Sequence, residues 1–172
     1  MNLDYNEEYK SFEKEVQDFC KQYKDISFSD GAKIPFSAKG GSNKNTIKRS
    51  DWQKILIEKG YFARSVPKKY GGYGGETDIL KSRIIASEFS KFKIPTPMGG
   101  QGIDMLVPTL LELGTEQQKE KYIKPTLHGE MIWCQGYSEP NAGSDLASLQ
   151  TKAELINDCL LYTSPSPRDS SK

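Results

Sequence analysis

The run Trp133-Cys-Gln-Gly-Tyr-Ser-Glu-Pro-Asn-Ala-Gly-Ser-Asp145, continuing through Leu149, fuses two physically different patterns. Residues 131–138 alternate as a strand does, with Met131, Trp133, Gln135 and Tyr137 on one side. Ile132, Cys134, Gly136 and Ser138 fall on the other side, which is largely small and lets a flat ligand approach the backbone. The segment 139–145 then turns the chain with residues that fix φ or tolerate unusual φ. Within it, Gly143 and Ser144 can aim successive N–H groups and a hydroxyl at one anion. Residues 148–156 alternate again, so the expectation is two strands joined by a polar, phosphate-friendly loop.

Upstream, the periodicity changes to that of helices. Tyr5, Tyr9, Phe12, Val16, Phe19 and Tyr23 recur at helical spacing and predict an amphipathic helix over about 6–24. Residues 25–49 are polar and read as a long connection. Lys39, Lys44, Lys48 and Arg49 belong to a solvated loop there, because no aromatics interleave them. Ser50 is the expected N-cap of a short helix carrying Trp52, Ile55 and Leu56 and stopped by Gly60. The glycine-rich stretch 66–75 lacks the G-x-G-x-x-G spacing and a preceding βαβ strand, which favours a turn packed under helices.

Thr77 is the expected cap of a third helix whose apolar face is Leu80, Ile84, Ile85, Phe89 and Phe92, ended by Pro95-Thr-Pro97. Gly99-Gly-Gln-Gly102 leads into Ile103, Leu106, Val107, Leu110, Leu111 and Leu113, where Pro108 kinks or restarts the helix. Gly114 stops it, Thr115 and Gln118 form a capping box, and the next helix is expected to end before Pro125. His128 stands apart from any nucleophile or carboxylate constellation and reads as a surface or hinge residue. Everything up to Gly129 is therefore read as helical, with β-structure beginning at Glu130.

Composition excludes several classes. Lys+Arg 24 against Asp+Glu 23 gives net charge +1, so no basic field calls for nucleic acid or anionic membrane. Mean hydropathy is −0.66 and no apolar run reaches membrane-spanning length. Cys20, Cys134 and Cys159 share no ligand-like spacing, so neither a disulfide framework nor a metal site is expected. The acidic N-terminus lacks signal-peptide order, and a cytoplasmic location is the default.

The segment 136–145, with Leu146-Ala-Ser-Leu149 and Thr151-Lys-Ala153, resembles the flavin-contacting signature of acyl-CoA dehydrogenases. The Pro-Lys-Lys-Tyr-Gly-Gly segment at 67–72 is similar to one that joins the second and third helices of that family's N-terminal bundle. The resemblance implies an α+β architecture: an N-terminal all-α domain over 1–129, then the first strands of an antiparallel β-barrel or sandwich domain over 130–158. The family's C-terminal helical bundle would be missing. It implies FAD as cofactor, with Gln135, Gly136, Tyr137 and Ser138 along the isoalloxazine and Gly143 and Ser144 at the phosphate turn. The Ser144 position also touches the acyl-CoA.

The implied reaction is α,β-dehydrogenation of an acyl-CoA thioester, with α-proton abstraction and hydride transfer to flavin N5. The catalytic base belongs to the absent bundle, so no catalytic residue is assigned; Glu139 is expected to hold the turn. Electron-transfer flavoprotein or a similar acceptor and a homo-oligomeric full-length form also follow from the resemblance. The glycines at 99–102 read equally as an approach to the acyl pocket or as the start of a helix. Flavin oxidases or monooxygenases of the same fold and a non-catalytic helical adaptor are the competing readings.

Residues 159–172 fit this picture poorly. The Ser/Pro-rich segment 159–169 breaks the strand register and resembles the in-frame translation of a sequencing-library adapter. The native chain is expected to end near Asp158, with a natural disordered tail as the alternative. Such a fragment should be inactive and hold FAD poorly, because it offers the flavin one wall.

Overall fold

Asn6 Oδ1 accepts the Tyr9 N–H at 3.1 Å and opens α1 (Glu7–Tyr23), with Glu7 and Glu8 in the first turn at the positive end of the helix. A computed structural model describes α1 and the rest of residues 6–30, 46–136, 139, 142–157 and 159–163. Two compact units emerge, Met1–Trp133 and Cys134–Lys172.

The first unit is built on the apolar faces read from the sequence. Val16, Phe19 and Cys20 of α1 are buried with Trp52 and Leu56 of α2 (Arg49–Glu58) and Ile84, Ile85 and Phe89 of α3 (Ile79–Phe92). Phe19 stacks between Trp52 and Phe89, ring centroids 5.7 and 6.0 Å away, and Tyr61 meets it edge-on at 5.0 Å. Burial pushes the Cys20 thiol up to about 11, as expected of an inert core cysteine. A second cluster joins Ile57, Val66, Tyr70, Val107, Ile123 and Leu127.

Three helix boundaries differ from expectation, each for a local reason. Ser50 lies inside α2, because the Asp30 carboxylate takes the Arg49 N–H at 3.0 Å and starts the helix earlier, with Lys48 as the uncapped N-cap. Asp78, not Thr77, caps α3: its Oδ1 accepts the Lys81 N–H at 2.9 Å, and its other oxygen accepts the Tyr9 hydroxyl at 3.4 Å. α5 (Glu116–Leu127) runs through Pro125 instead of ending before it. Proline removes one N–H from the last turn only, and the Pro125 carbonyl is used by Glu130 and Met131, whose N–H groups donate at 2.9 and 3.1 Å.

Elsewhere the pattern holds. The Thr115–Gln118 capping box forms at the start of α5. Pro108 sits in the first turn of α4 (Val107–Leu113), fed by a π-helical turn over Gly102–Leu106. The connection 25–49 is not wholly irregular: β1 (Ser27–Phe28) pairs in parallel with β2 (Thr46–Ile47), the residues 31–45 lying outside the described ones.

The largest departure is at 131–138. Residues 132–136 form no ladder, and Tyr137 and Ser138 are outside the described residues. A strand needs a hydrogen-bonding neighbour, and none pairs here among the described residues; Trp133 is instead held on α5. The second unit contains β3 (Lys152–Ile156), shorter than the alternation 148–156 because Leu146–Ser148 forms a 3-10 turn.

The sequence register does not break after Asp158. β4 (Cys159–Thr163) pairs antiparallel with β3, from Ile156↔Cys159 to Lys152↔Thr163. Asn157, at φ 50°, supplies the left-handed residue that a two-residue hairpin turn demands.

Candidate functional site

The signature loop is closed by one carboxylate. Glu139 accepts the Gln150 N–H at 2.8 Å and the Thr151 N–H at 2.7 Å, and the Thr151 hydroxyl donates to it as well. The Ala142 N–H donates to the Glu139 carbonyl at 3.2 Å, which tightens the start of the turn. The Thr151 hydroxyl first, then the two backbone N–H groups, hold the Glu139 carboxyl below the usual carboxylate range. Glu139 thus fastens the loop to the start of β3, as the sequence suggested.

Between these fixed points, Gly143 and Ser144 are exposed neighbours, and Asp145 leads into the 3-10 turn, its carbonyl accepting from the Ser148 N–H and hydroxyl. Gln135 and Gly136 are also exposed, in irregular backbone. Of the candidate residues, the structure therefore describes Gln135, Gly136, Gly143 and Ser144; Tyr137 and Ser138 fall outside the described residues.

Two contrasting situations occur among the described glycines. A Cβ on Gly72 would meet Val66 O at 2.2 Å, and one on Gly71 would meet the Lys124 side chain at 2.7 Å, so packing within the chain demands both. At Gly136 and Gly143 a Cβ would meet none of the described residues within 4 Å, and neither residue has positive φ. Among the described residues neither crowding nor backbone geometry accounts for them. Bare backbone left open in a loop is what close approach of a separate molecule requires. Among the described residues no group of three His, Cys, Asp or Glu could hold a metal ion.

One contact just before the signature escaped the sequence reading. Trp133 Nε1 donates to Thr126 Oγ1 at 2.8 Å, and the Thr126 hydroxyl donates to the Tyr122 carbonyl at 2.6 Å. The Tyr122 ring meets Trp133 edge-on at 5.6 Å. A Cβ on Gly102 would lie 2.5 Å from Trp133 Cδ1, so that glycine makes room for the indole. The alternation of 131–138 had placed Trp133 on a strand face, and nothing in the spacing of Gly102, Thr126 and Trp133 advertises their contact.

Comparison with known proteins identifies the family of the helical part of the chain. The family description "Acyl-CoA dehydrogenase, N-terminal domain" matches residues 6–130. "Acyl-CoA dehydrogenase IpdE1" of Mycolicibacterium smegmatis is 36% identical over 110 residues, 64% of this chain and 28% of that protein. The short-chain-specific acyl-CoA dehydrogenase of Clostridium acetobutylicum is 42% identical over 92 residues, 53% of this chain and 24% of that protein. Thus the matches span only about a quarter of these relatives' length.

Among solved structures, the Tcur3481-Tcur3483 steroid ACAD is similar over 94% of this chain and 39% of that one, with TM-score 0.55 and 27% identity. The ChsE4-ChsE5 complex from Mycobacterium tuberculosis shares the fold over 94% of this chain and 38% of that one, with TM-score 0.56 and 24% identity. Among the described residues no helix is long and apolar enough to cross a membrane. Since that family description covers residues 6–130, most of the chain, the chain belongs to the acyl-CoA dehydrogenase family, through that family's N-terminal domain.

Proposed function

We propose that this chain supplies the N-terminal helical domain and one cofactor-contacting wall of a FAD-dependent acyl-CoA dehydrogenase. The observation that carries the reading is the open backbone at Gly136 and Gly143, the latter set in the loop that Glu139 clamps shut. FAD, when bound, supplies the acceptor for the hydride removed from the acyl-CoA β-carbon.

The chain's own residues bind and orient. Gln135, Gly136, Tyr137 and Ser138 line the ring system, with the Ser138 hydroxyl donating to its polar edge. Backbone N–H groups of the Gly143–Ser144 turn and the Ser144 hydroxyl hold phosphate, and Ser144 also touches the acyl-CoA. Glu139 has no proton-transfer role, because its carboxylate is committed to Gln150 and Thr151. The base is assigned to no residue of this chain. Electron-transfer flavoprotein or a similar acceptor takes the electrons onward, and the working form is a homo-oligomer in which other walls complete the flavin site.

Equilibrium dialysis against FAD tests the reading, since it detects weak binding that gel filtration would strip away. The expected result is saturable FAD uptake that Ser144→Asp weakens by about tenfold or more, through repulsion between carboxylate and phosphate. A helical, folded chain that takes up no FAD would contradict it.

A further inference from the structure

A cleft of about 420 Å³ opens within the helical unit, between α2, the glycine turn that follows Tyr70 and the end of α5. That volume falls in the range of about 300–1,000 Å³ typical of small-molecule sites. Its wall combines two chemistries. Ile57 and the Tyr73 ring, with the backbone of Gly71 and Gly72, supply an apolar side. Lys54, Lys68 and His128 supply three basic side chains against one acid, Glu58.

Two features set this cluster apart from an ordinary solvated face. A carboxylate is already gripped at its edge: Lys54 Nζ lies 3.2 Å and His128 Nδ1 3.7 Å from the same oxygen, Oε1 of Glu130. An ammonium carries three donors and an imidazole a second nitrogen, so Glu130 exhausts neither group. Lys68, by contrast, makes no ion pair among the described residues, although its neighbour Lys69 pairs with Glu116 at 3.0 Å. The Lys68 stem lies against Gly74, where a Cβ would meet Lys68 Cγ at 2.9 Å. Further charge surrounds the cleft: Arg64 sits 5.3 Å from the Tyr73 ring centroid, and Lys124 acts on His128 together with Lys54 and Glu130.

We propose that this cleft binds a small carboxylate with an apolar body, the carboxylate on Lys68 and Lys54 and the body against Ile57 and Tyr73. The site is independent of the flavin reading. Charge complementarity selects the ligand: Lys68 lacks a counterion, Lys54 and His128 already hold one carboxylate, and the apolar wall excludes a bare, fully hydrated anion as the best fit. Burial, with help from Lys54 and Lys124, holds His128 below its ordinary 6.5, so it is neutral near pH 7 and becomes a third cation in mild acid.

Titration of the 15N-labelled whole chain with benzoate tests this, with benzamide as the uncharged match and acetate as the charge without a body. The expected result is saturable amide shifts at Ile57, Gly72, Tyr73 and His128, with Val16 and Phe89 of the other core unmoved. Benzamide and acetate should each bind about fivefold more weakly or worse. Lys68→Gln, which breaks no ion pair, should weaken benzoate about fivefold with helicity unchanged, and Lys68→Arg should restore it. Glu58→Gln should tighten binding about twofold, a change of sign that lost packing does not produce. Lowering the pH from about 7.5 to about 5.5 should tighten binding, and His128→Gln should remove that dependence. Absent shifts, shifts scattered over surface lysines such as Lys10 and Lys21, or unchanged benzoate binding by Lys68→Gln would overturn the proposal. Equal affinity for benzamide would overturn it as well.

Discussion

Gln53 is fully buried at 0% exposure, yet it is polar, and both ends of its amide are used. Its Nε2 donates to the Leu127 carbonyl at 3.0 Å, and its Oε1 accepts the Met98 N–H at 2.9 Å. One side chain on α2 thereby ties the end of α5 to the segment that leads into Gly99–Gly102. Gln53→Leu keeps most of the volume and leaves a buried carbonyl and a part-buried N–H unpaired. At about 1–3 kcal/mol for each orphaned group, the expected cost is about 2–5 kcal/mol, slightly offset by leucine's apolar burial.

Urea unfolding followed by circular dichroism at neutral pH measures it, with the m-value checked for constancy. Gln53→Glu sharpens the test. Ionised, it loses the donor and buries a charge; protonated, it can again donate to Leu127 and accept from Met98. Its destabilisation should therefore be larger at pH 8 than at pH 5. A cost below about 1 kcal/mol for Gln53→Leu, or a pH-independent Gln53→Glu, would refute the tie.

Two further outcomes follow from titratable groups. Burial is the main force lowering the His128 imidazole below its ordinary 6.5, assisted by Lys54 and Lys124 and opposed by Glu130, whose carboxylate lies 3.7 Å away. The folded state therefore prefers neutral His128, its contribution is complete above 6.5, and it is lost as pH falls through the lower folded value. His128→Gln should flatten that part of the stability profile between pH 7 and 5, and an unchanged profile would remove His128 from the account. Glu139, held below its ordinary 4.5 by Thr151 and Gln150, should keep the loop closed above that value and release it as pH falls further. Amide-exchange protection at Gln150 and Thr151 should drop accordingly, and Glu139→Gln should abolish the pH dependence.

What the sequence made legible was what depends on neighbours along the chain. The 3.6-residue recurrence of Val16 and Phe19, and of Ile84, Ile85 and Phe89, named the buried faces, and the capping box at Thr115 fixed the start of α5. Glu139's clamp was anticipated from its place in the loop. The misses share a cause: a partner distant in sequence decided them. Asp30 reaches Arg49 to start α2, Thr126 captures Trp133 and removes it from a strand, and β3 recruits 159–163 as its partner. Alternation at 131–138 was a true pattern of side chains without a neighbouring strand to use it.

The central claim is that residues 135–138 and 143–144 face a flavin. The most direct measurement is a titration of the 15N-labelled chain with FAD, read by amide shift perturbation. The account predicts saturable shifts concentrated at Gln135, Gly136, Tyr137, Ser138, Gly143 and Ser144, with Val16, Phe19 and the rest of the α1–α3 core unmoved. Shifts that are absent, or that centre on the helical unit and spare Gly136 and Gly143, would contradict it.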